Sequence, residues 1–382
     1  MPEAHIKHIA VFAFPFTTHA APLLSLVRKL SESAPNVKFC LFNTAKSNRS
    51  FFYKDVDFER VKPQSVDIGL PEGCLPTRAL MQEPIEYFLK AMPENFKRAM
   101  TEIRLAFDGL ITDAFFWFAK DMADQIRVLW IPYFTVGPRA MLVHVVADDL
   151  RAQLGINGPE EQTLDFLAGF SAIRSMDVPE GIISGSLDCP LATMMNKMGQ
   201  MLPHASAIAI NSFEEINPIV VQTLKSRLSN FLNIDWLDQH PRSLALVVYI
   251  SFGSVITPPP HELEALAEAL EACKFPFLWS FRGNVEEKFP KRFLERTKEK
   301  GLISRAQPED CGESVGVGVG VEGGKFTKKG AIKALQVILS SKKRKLMTKK
   351  IGVLKQLAFT AADTDGSSIA NFNFVVDFIS KR

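Results

Sequence analysis

His19 and Asp113 are the residues whose types and settings suit proton transfer. His19 follows the apolar run "HIAVFAFPF" and two threonines, and a helix-like segment begins directly after it. Asp113 sits between the apolar stretches "GLIT" and "AFFWF", where a carboxylate needs a partner to offset its lost hydration. Both lie where a strand hands over to a helix, and open α/β sheets bind ligands at the carboxyl ends of their strands. A carboxylate beside an imidazole fixes one tautomer and makes the other ring nitrogen more basic. A lone histidine at a strand end also serves as a capping or core group, and an aspartate there as a helix N-cap. No G-x-S-x-G motif supplies a serine nucleophile, so a hydrolase triad is not indicated. A His–Asp pair without a nucleophile suits direct deprotonation of a substrate hydroxyl.

Other motifs carry less. The turn "SFGS" ends an apolar run; Gly253 lets backbone approach a ligand and Ser254 adds a hydroxyl, a setting that suits phosphate oxygens. Gly318, Gly320 and Gly323 fit G-x-G-x-x-G, but they lie in a Val-Gly alternation rather than between a strand and a helix, which argues against a dinucleotide fingerprint. The Walker pattern fails because Val319 takes the first glycine position and Phe326 follows Lys325. The basic run "KKRK" at 342–345 reads as a solvated helix face.

These candidates need elements to hold them. "HIAVFAFPF" has the continuous hydrophobicity of a buried parallel strand, and Leu23, Val27 and Leu30 recur at helical spacing, predicting a helix over 20–33. "VKFCLFNT" and "VLWIPYFTV" read as strands, and "GLITDAFFWFAKDMADQI" as strand, Asp113, then helix. "PIEYFLKAMPENFKRAMTEIRLAF" reads as helix interrupted at Pro93. The alternation predicts a parallel sheet with right-handed crossovers. The plan recurs from Leu244: a strand to Phe252, a helix carrying Leu263, Leu266 and Leu270 on one face, then strands at "FPFLWSF" and "GLIS". Beyond Ser304 come a Gly-rich strand or loop and two helical segments.

A chain of 382 residues exceeds one ordinary core, so two domains are expected. The 45 basic and 42 acidic residues leave +3, too small a bias to indicate a nucleic-acid partner. Thirty phenylalanines against four tyrosines suit large apolar surfaces, including a pocket for a flat apolar ligand. Cys40, Cys74, Cys189, Cys273 and Cys311 show no paired C-x-x-C spacing, which speaks for a reducing compartment and against structural zinc. No signal pattern or spanning run is evident, and a soluble cytoplasmic protein is expected.

"HIAVFAFPFTTHAAPLLSLVRKL", "GLITDAFFWFAKDMA", "WIPYFTVGPRAMLVH", "GFSAIRSMDVPEGI", "AIAINSFEEINP", "VVYISFGSVITPPP" and "GVEGGKFTKKG" together resemble plant family-1 UDP-glycosyltransferases, most closely the flavonoid 3-O-glycosyltransferases. The segments occur in the family's order and span nearly the whole chain. The resemblance implies an α/β fold of GT-B type: two Rossmann-like domains facing a cleft, the second truncated. It implies an acceptor-binding domain over 1–233, a shortened linker over 234–243, a nucleotide-sugar domain over 244–365, and a last helix, 366–382, returning to the first domain. His19 matches the base and Asp113 its carboxylate partner. Gln82 and His144 match acceptor-contacting positions, Thr135 a position near the donor sugar, and Ser254 a donor-side position. The implied reaction moves a hexose from UDP-glucose or UDP-galactose to the 3-hydroxyl of a flavonoid, inverting and metal-free. No cofactor is implied, since the UDP-sugar is a co-substrate, and the protein is expected to be a monomer. One departure matters. The donor-binding box, from W-A-P-Q through H-C-G-W-N-S to a terminal D-Q or D-H, is missing between "GLISRAQPEDCGES" and "VGVGVGVEGG". The alternative expectation is therefore an impaired or inactive remnant that still binds flavonoids.

Overall fold

The computed structural model describes residues 6–15, 19–52, 59–70, 82–158, 161–234, 248–252, 258–274, 276–281, 284–304, 327–339 and 341–381. The chain forms two compact units, one of Met1–Trp236 with Ala358–Arg382, the other of Leu237–Leu357.

The first unit runs β1 (Lys7–Phe12), α1 (Ala20–Ser33), β2 (Val37–Asn43), α2 (Ala45–Phe51), β3 (Val61–Ser65), α3 (Gln82–Glu102), β4 (Gly109–Asp113) and α4 (Ala119–Ile126). It continues with β5 (Leu129–Phe134), α5 (Pro138–Val145), α6 (Ala147–Leu154), α7 (Pro190–Met201), β6 (Ile208–Ile210), α8 (Pro218–Arg227) and β7 (Phe231–Asn233). The seven strands make one parallel sheet in the order β3-β2-β1-β4-β5-β6-β7. The chain first builds outward from β1 to β3, then returns to lay β4 against β1, pairing Ile9 with Gly109 and Phe12 with Thr112. That reversal opens a crevice at the carboxyl ends of β1 and β4.

Successive β1 side chains point to opposite faces, so its apolar run feeds two cores. Ile9 and Val11 pack with Leu23, Val27 and Leu30 of α1. Ala10 and Phe12 join Phe88, Phe96 and Phe116 on the other face. Contrary to the expected interruption, α3 passes unbroken through Pro93. A proline there removes one backbone donor and crowds the preceding turn. Ile85, Phe88, Met92, Phe96 and Met100 are all buried in one core on both sides of it, and this anchoring holds the helix together.

The second unit holds β8 (Val248–Ser251), α9 (Pro260–Cys273), β9 (Phe277–Ser280), α10 (Val285–Lys288), α11 (Phe293–Thr297), β10 (Gly301–Ser304), α12 (Lys328–Leu339) and most of α13 (Ser341–Ala361). Its described strands form a three-stranded parallel sheet, β10-β9-β8. Trp279 and Phe277 pack there with Leu263, Leu270, Phe293 and Leu335. Among the described residues, three helices follow β10 where two helical segments were expected, the last being α14 (Ser367–Lys381). In α14, Phe372, Val375 and Ile379 are buried in the α1-side core of the first unit. Asn371 Nδ2 donates to the Asn233 carbonyl (3.1 Å) and to Glu214 Oε1 (3.0 Å).

Candidate active site

β1 ends at Phe12, and His19 is the residue on which α1 starts; β4 ends on Asp113. Because β1 and β4 are sheet neighbours, the two side chains meet at the crevice. His19 Nδ1 lies 2.8 Å from Asp113 Oδ2. Asp113 is only 2 % exposed, and its other carboxylate oxygen, Oδ1, accepts the Phe115 backbone N–H at 3.0 Å. Both oxygens of a buried anion are thereby satisfied. Burial works to lower the His19 pKa; the Asp113 charge and hydrogen bond act against it and prevail, raising the pKa above the usual 6.5. The neutral imidazole donates from Nδ1 to the carboxylate, which leaves the Nε2 lone pair to accept a proton. Nε2 makes no hydrogen bond among the described residues.

Thr135 follows β5, and its Oγ1 stands 3.3 Å from His19 Nδ1, a longer contact than Asp113 makes. His19 also belongs to a cluster of three mutually touching rings, with Phe14 and Phe115 5.1 Å apart. Phe115 stacks on it with centroids 5.0 Å apart and planes at 29°, and Phe14 approaches tilted at 5.2 Å. These rings link to Phe88 and Phe116, so an aromatic wall runs from the imidazole into the core. The sequence reading did not single out Phe14 and Phe115. The signal was present in "DAFFWF": an aspartate side chain commonly accepts the N–H two residues on, which fixes where the third residue goes.

His144 lies on α5 with its ring edge-on to Phe134 at 6.1 Å, and it makes no hydrogen bond or ring contact with His19. Burial lowers its pKa to about 4, so it stays neutral at physiological pH. Gly199 of α7 backs it closely: a Cβ there would collide with the His144 carbonyl oxygen. Gln82 is the first residue of α3, and its side chain is not among those described. Gly253, Ser254 and the glycines at 318–323 lie outside the described residues. Among the described residues, no three His, Cys, Asp or Glu side chains gather to hold a metal ion, and no helix is long and apolar enough to cross a membrane.

Residues 240–298 match the family described as UDP-glucoronosyl and UDP-glucosyl transferase. The chain is 40% identical to a flavonoid 3-O-glucosyltransferase of Medicago truncatula, covering 98% of this chain and 97% of that one. It is 37% identical to an anthocyanidin 3-O-glucosyltransferase of Vitis vinifera, over 98% and 97%. It is equally 37% identical to an anthocyanidin 3-O-galactosyltransferase of Actinidia chinensis var. chinensis, over 98% and 97%. A crystal structure of a UDP-glucose: anthocyanidin 3-O-glucosyltransferase in complex with UDP superposes with a TM-score of 0.86 at 28% identity, covering 99% of this chain and all of that one. The Medicago alignment runs over 446 positions, 64 more than this chain's 382 residues, so at least that many positions of the comparison have no counterpart here.

Proposed function

Since this chain belongs to the UDP-glucoronosyl and UDP-glucosyl transferase family and has the GT-B type of α/β fold, we propose that it moves a hexose from a UDP-sugar to the 3-hydroxyl of a flavonoid, with His19 as base. The observation that carries this reading is the 2.8 Å pairing of His19 with a buried Asp113 where the strand order reverses. In the proposed step, Nε2 takes the proton of the acceptor hydroxyl while Nδ1–H remains on Asp113. The freed oxygen attacks the anomeric carbon on the face opposite the diphosphate. The new C–O bond forms as the sugar–phosphate bond breaks, its electron pair leaves with UDP, and the configuration inverts. Asp113 neutralises the imidazolium so produced, and no protein nucleophile is required.

His144 contributes a neutral imidazole, able to donate or accept a hydrogen bond toward an acceptor hydroxyl without the cost of burying a charge. Gln82 is the second acceptor-side residue. Thr135 and Ser254 are assigned to the donor, UDP-glucose or UDP-galactose, with no cofactor; the location is cytoplasmic and the protein a monomer.

The second reading is an impaired enzyme that retains its acceptor half. It is favoured by the absent donor-binding box and by the 64 or more unmatched positions of the alignment. Without the box, UDP lacks most of its preorganised donors, and these usually supply the largest share of catalysis.

One experiment separates the two. The purified chain is titrated with a flavonol and, separately, with UDP; turnover is then measured with UDP-glucose and UDP-galactose on that flavonol and on the flavone lacking its 3-hydroxyl. Transfer to the flavonol alone, abolished in His19→Ala, supports the enzyme. Flavonol binding without UDP binding or turnover supports the impaired form. A chain that binds neither overturns both.

A further inference from the structure

The structure assigns Phe115 as the positioning residue of the His19–Asp113 pair, its backbone amide holding one carboxylate oxygen and its ring lying over the imidazole. It rests on His19 being the base, and it adds to that reading the device that holds the base in place. Two independent contacts converge on this residue. The Phe115 N–H donates to Asp113 Oδ1 at 3.0 Å, which turns Oδ2 toward His19. The same local turn delivers the Phe115 ring over the imidazole, centroids 5.0 Å apart and planes at 29°. One residue therefore contacts both partners of the 2.8 Å hydrogen bond, while Thr135 Oγ1 stands 3.3 Å from its histidine end.

The need for such a device follows from the rest of the site. His19 starts α1 but makes no capping hydrogen bond with its side chain, so nothing in its own helix orients the ring. Its side chain is 19% exposed, leaving room to swing away from Asp113. Histidine χ2 is a broad torsion, so packing must choose the ring plane. Phe14 meets the imidazole at 59°, beside Phe115, and does not match its plane. Phe115 lies closer to parallel, at 29°, and a stacked ring restricts tilt. Phe115 is itself braced by Phe14 at 5.1 Å, edge to face, and it packs against the core. A planar side chain is thus required for the ring contact, whereas the amide contact survives any replacement except proline.

The test compares Phe115→Leu and Phe115→Met with Phe115→Tyr in the full chain. The amide contact is kept in all three, and only Tyr keeps a flat ring. Proton NMR at low temperature follows the His19 Nδ1–H signal, identified by its absence in His19→Gln. The expected result is a protected signal in the parent and in Phe115→Tyr, lost to exchange in Phe115→Leu and Phe115→Met, with thermal melts confirming that each variant is folded. Where transfer is measured by single turnover, the non-planar variants lose about two- to tenfold in rate and Tyr restores it, the range expected for one aromatic contact. A His19 signal equally protected in a folded Leu or Met variant overturns the proposal. Transfer that survives His19→Ala refutes the base instead, and leaves the NMR comparison to stand by itself.

Discussion

Asp113→Ala removes the carboxylate that pairs with His19, and its effect can be sized from the geometry. The lost contact is a hydrogen bond to a charged group, a class worth about 1.5–3 kcal/mol. In the proposed transition state it becomes an imidazolium–carboxylate contact, for which unit charges near 4 Å at an effective dielectric of about 20 give about 4 kcal/mol. Between these bounds the rate should fall about 10- to 1000-fold. Asp113→Asn keeps the shape but can donate its amide N–H to Nδ1, which places the ring proton on Nε2 and removes the lone pair the base needs, so its loss should be at least as large.

The pH dependence provides a second readout. In the proposed mechanism the neutral ring is the active form, so the rate should climb as pH rises through a midpoint above 6.5. Both influences that raise this midpoint come from Asp113, and only burial, which lowers it, remains in the variants. The acid limb should therefore move to lower pH. The assay is UDP release from about pH 5.5 to about pH 9, with NMR titration of His19 in the unliganded chain as a measure independent of turnover. The pair also stabilises the fold below pH 6.5, and this contribution fades as pH rises through the raised midpoint. A limb that stays in place or moves up in Asp113→Ala, or a rate lowered less than about threefold, would refute the reasoning.

Three further perturbations test the frame around the pair. His144, depressed from 6.5 to about 4, costs stability as pH falls through that window; relative to His144→Gln, the parent should lose about 3 kcal/mol between neutral pH and pH 4 in denaturant melts. Gly199→Ala must separate α5 from α7, because its Cβ would strike the His144 carbonyl; a loss of about 1–3 kcal/mol in chemical denaturation, with weaker flavonol binding by calorimetry, is expected. Phe372→Ala removes an aromatic anchor of α14 from the first unit's core and should cost about 3–5 kcal/mol in the same melts; a change under about 1 kcal/mol would show that α14 contributes little to the stability of that unit.

The elements that the sequence made legible are those whose periodicity is long and unmixed. Helix α1 spans the residues its apolar spacing predicts, because one face of that spacing must be buried. Strands β2 and β5 fall within the apolar runs read as strands, and β1 and β4 overlap theirs, β1 starting one residue earlier at Lys7 and β4 taking in Asp113, since a parallel strand is covered on both faces. Strands β3, β6 and β7 were not read from the sequence. β6 and β7 are three residues each, and β3, "VKPQS", is an edge strand with one buried side chain. Such segments carry too few residues to show a period, and pairing with neighbours already in place makes them strands. Pro93 failed in the other direction, a local breaker overridden by core contacts on both sides of it.

At the site, the residue types and their strand-end positions were fixed by the chain alone: a histidine after the first strand, an aspartate closing a later one, and the likeness of the surrounding segments to sugar-transferring enzymes. The strand-end positions and the resemblance pointed to a His19–Asp113 pair; what the linear order does not contain is the strand adjacency that makes the two neighbours. That follows from β4 returning to β1 after β2 and β3 have been laid outward, a choice made by the packing of the whole sheet. The partners of His19 were decided there as well. Thr135 ends on the imidazole because β5 pairs with β4, and Phe115 ends over it because a buried carboxylate takes the nearest free amide. Composition and periodicity govern what one segment buries. The distance between two polar groups far apart in sequence is set by tertiary structure, because each group is carried by an element whose place depends on all the others.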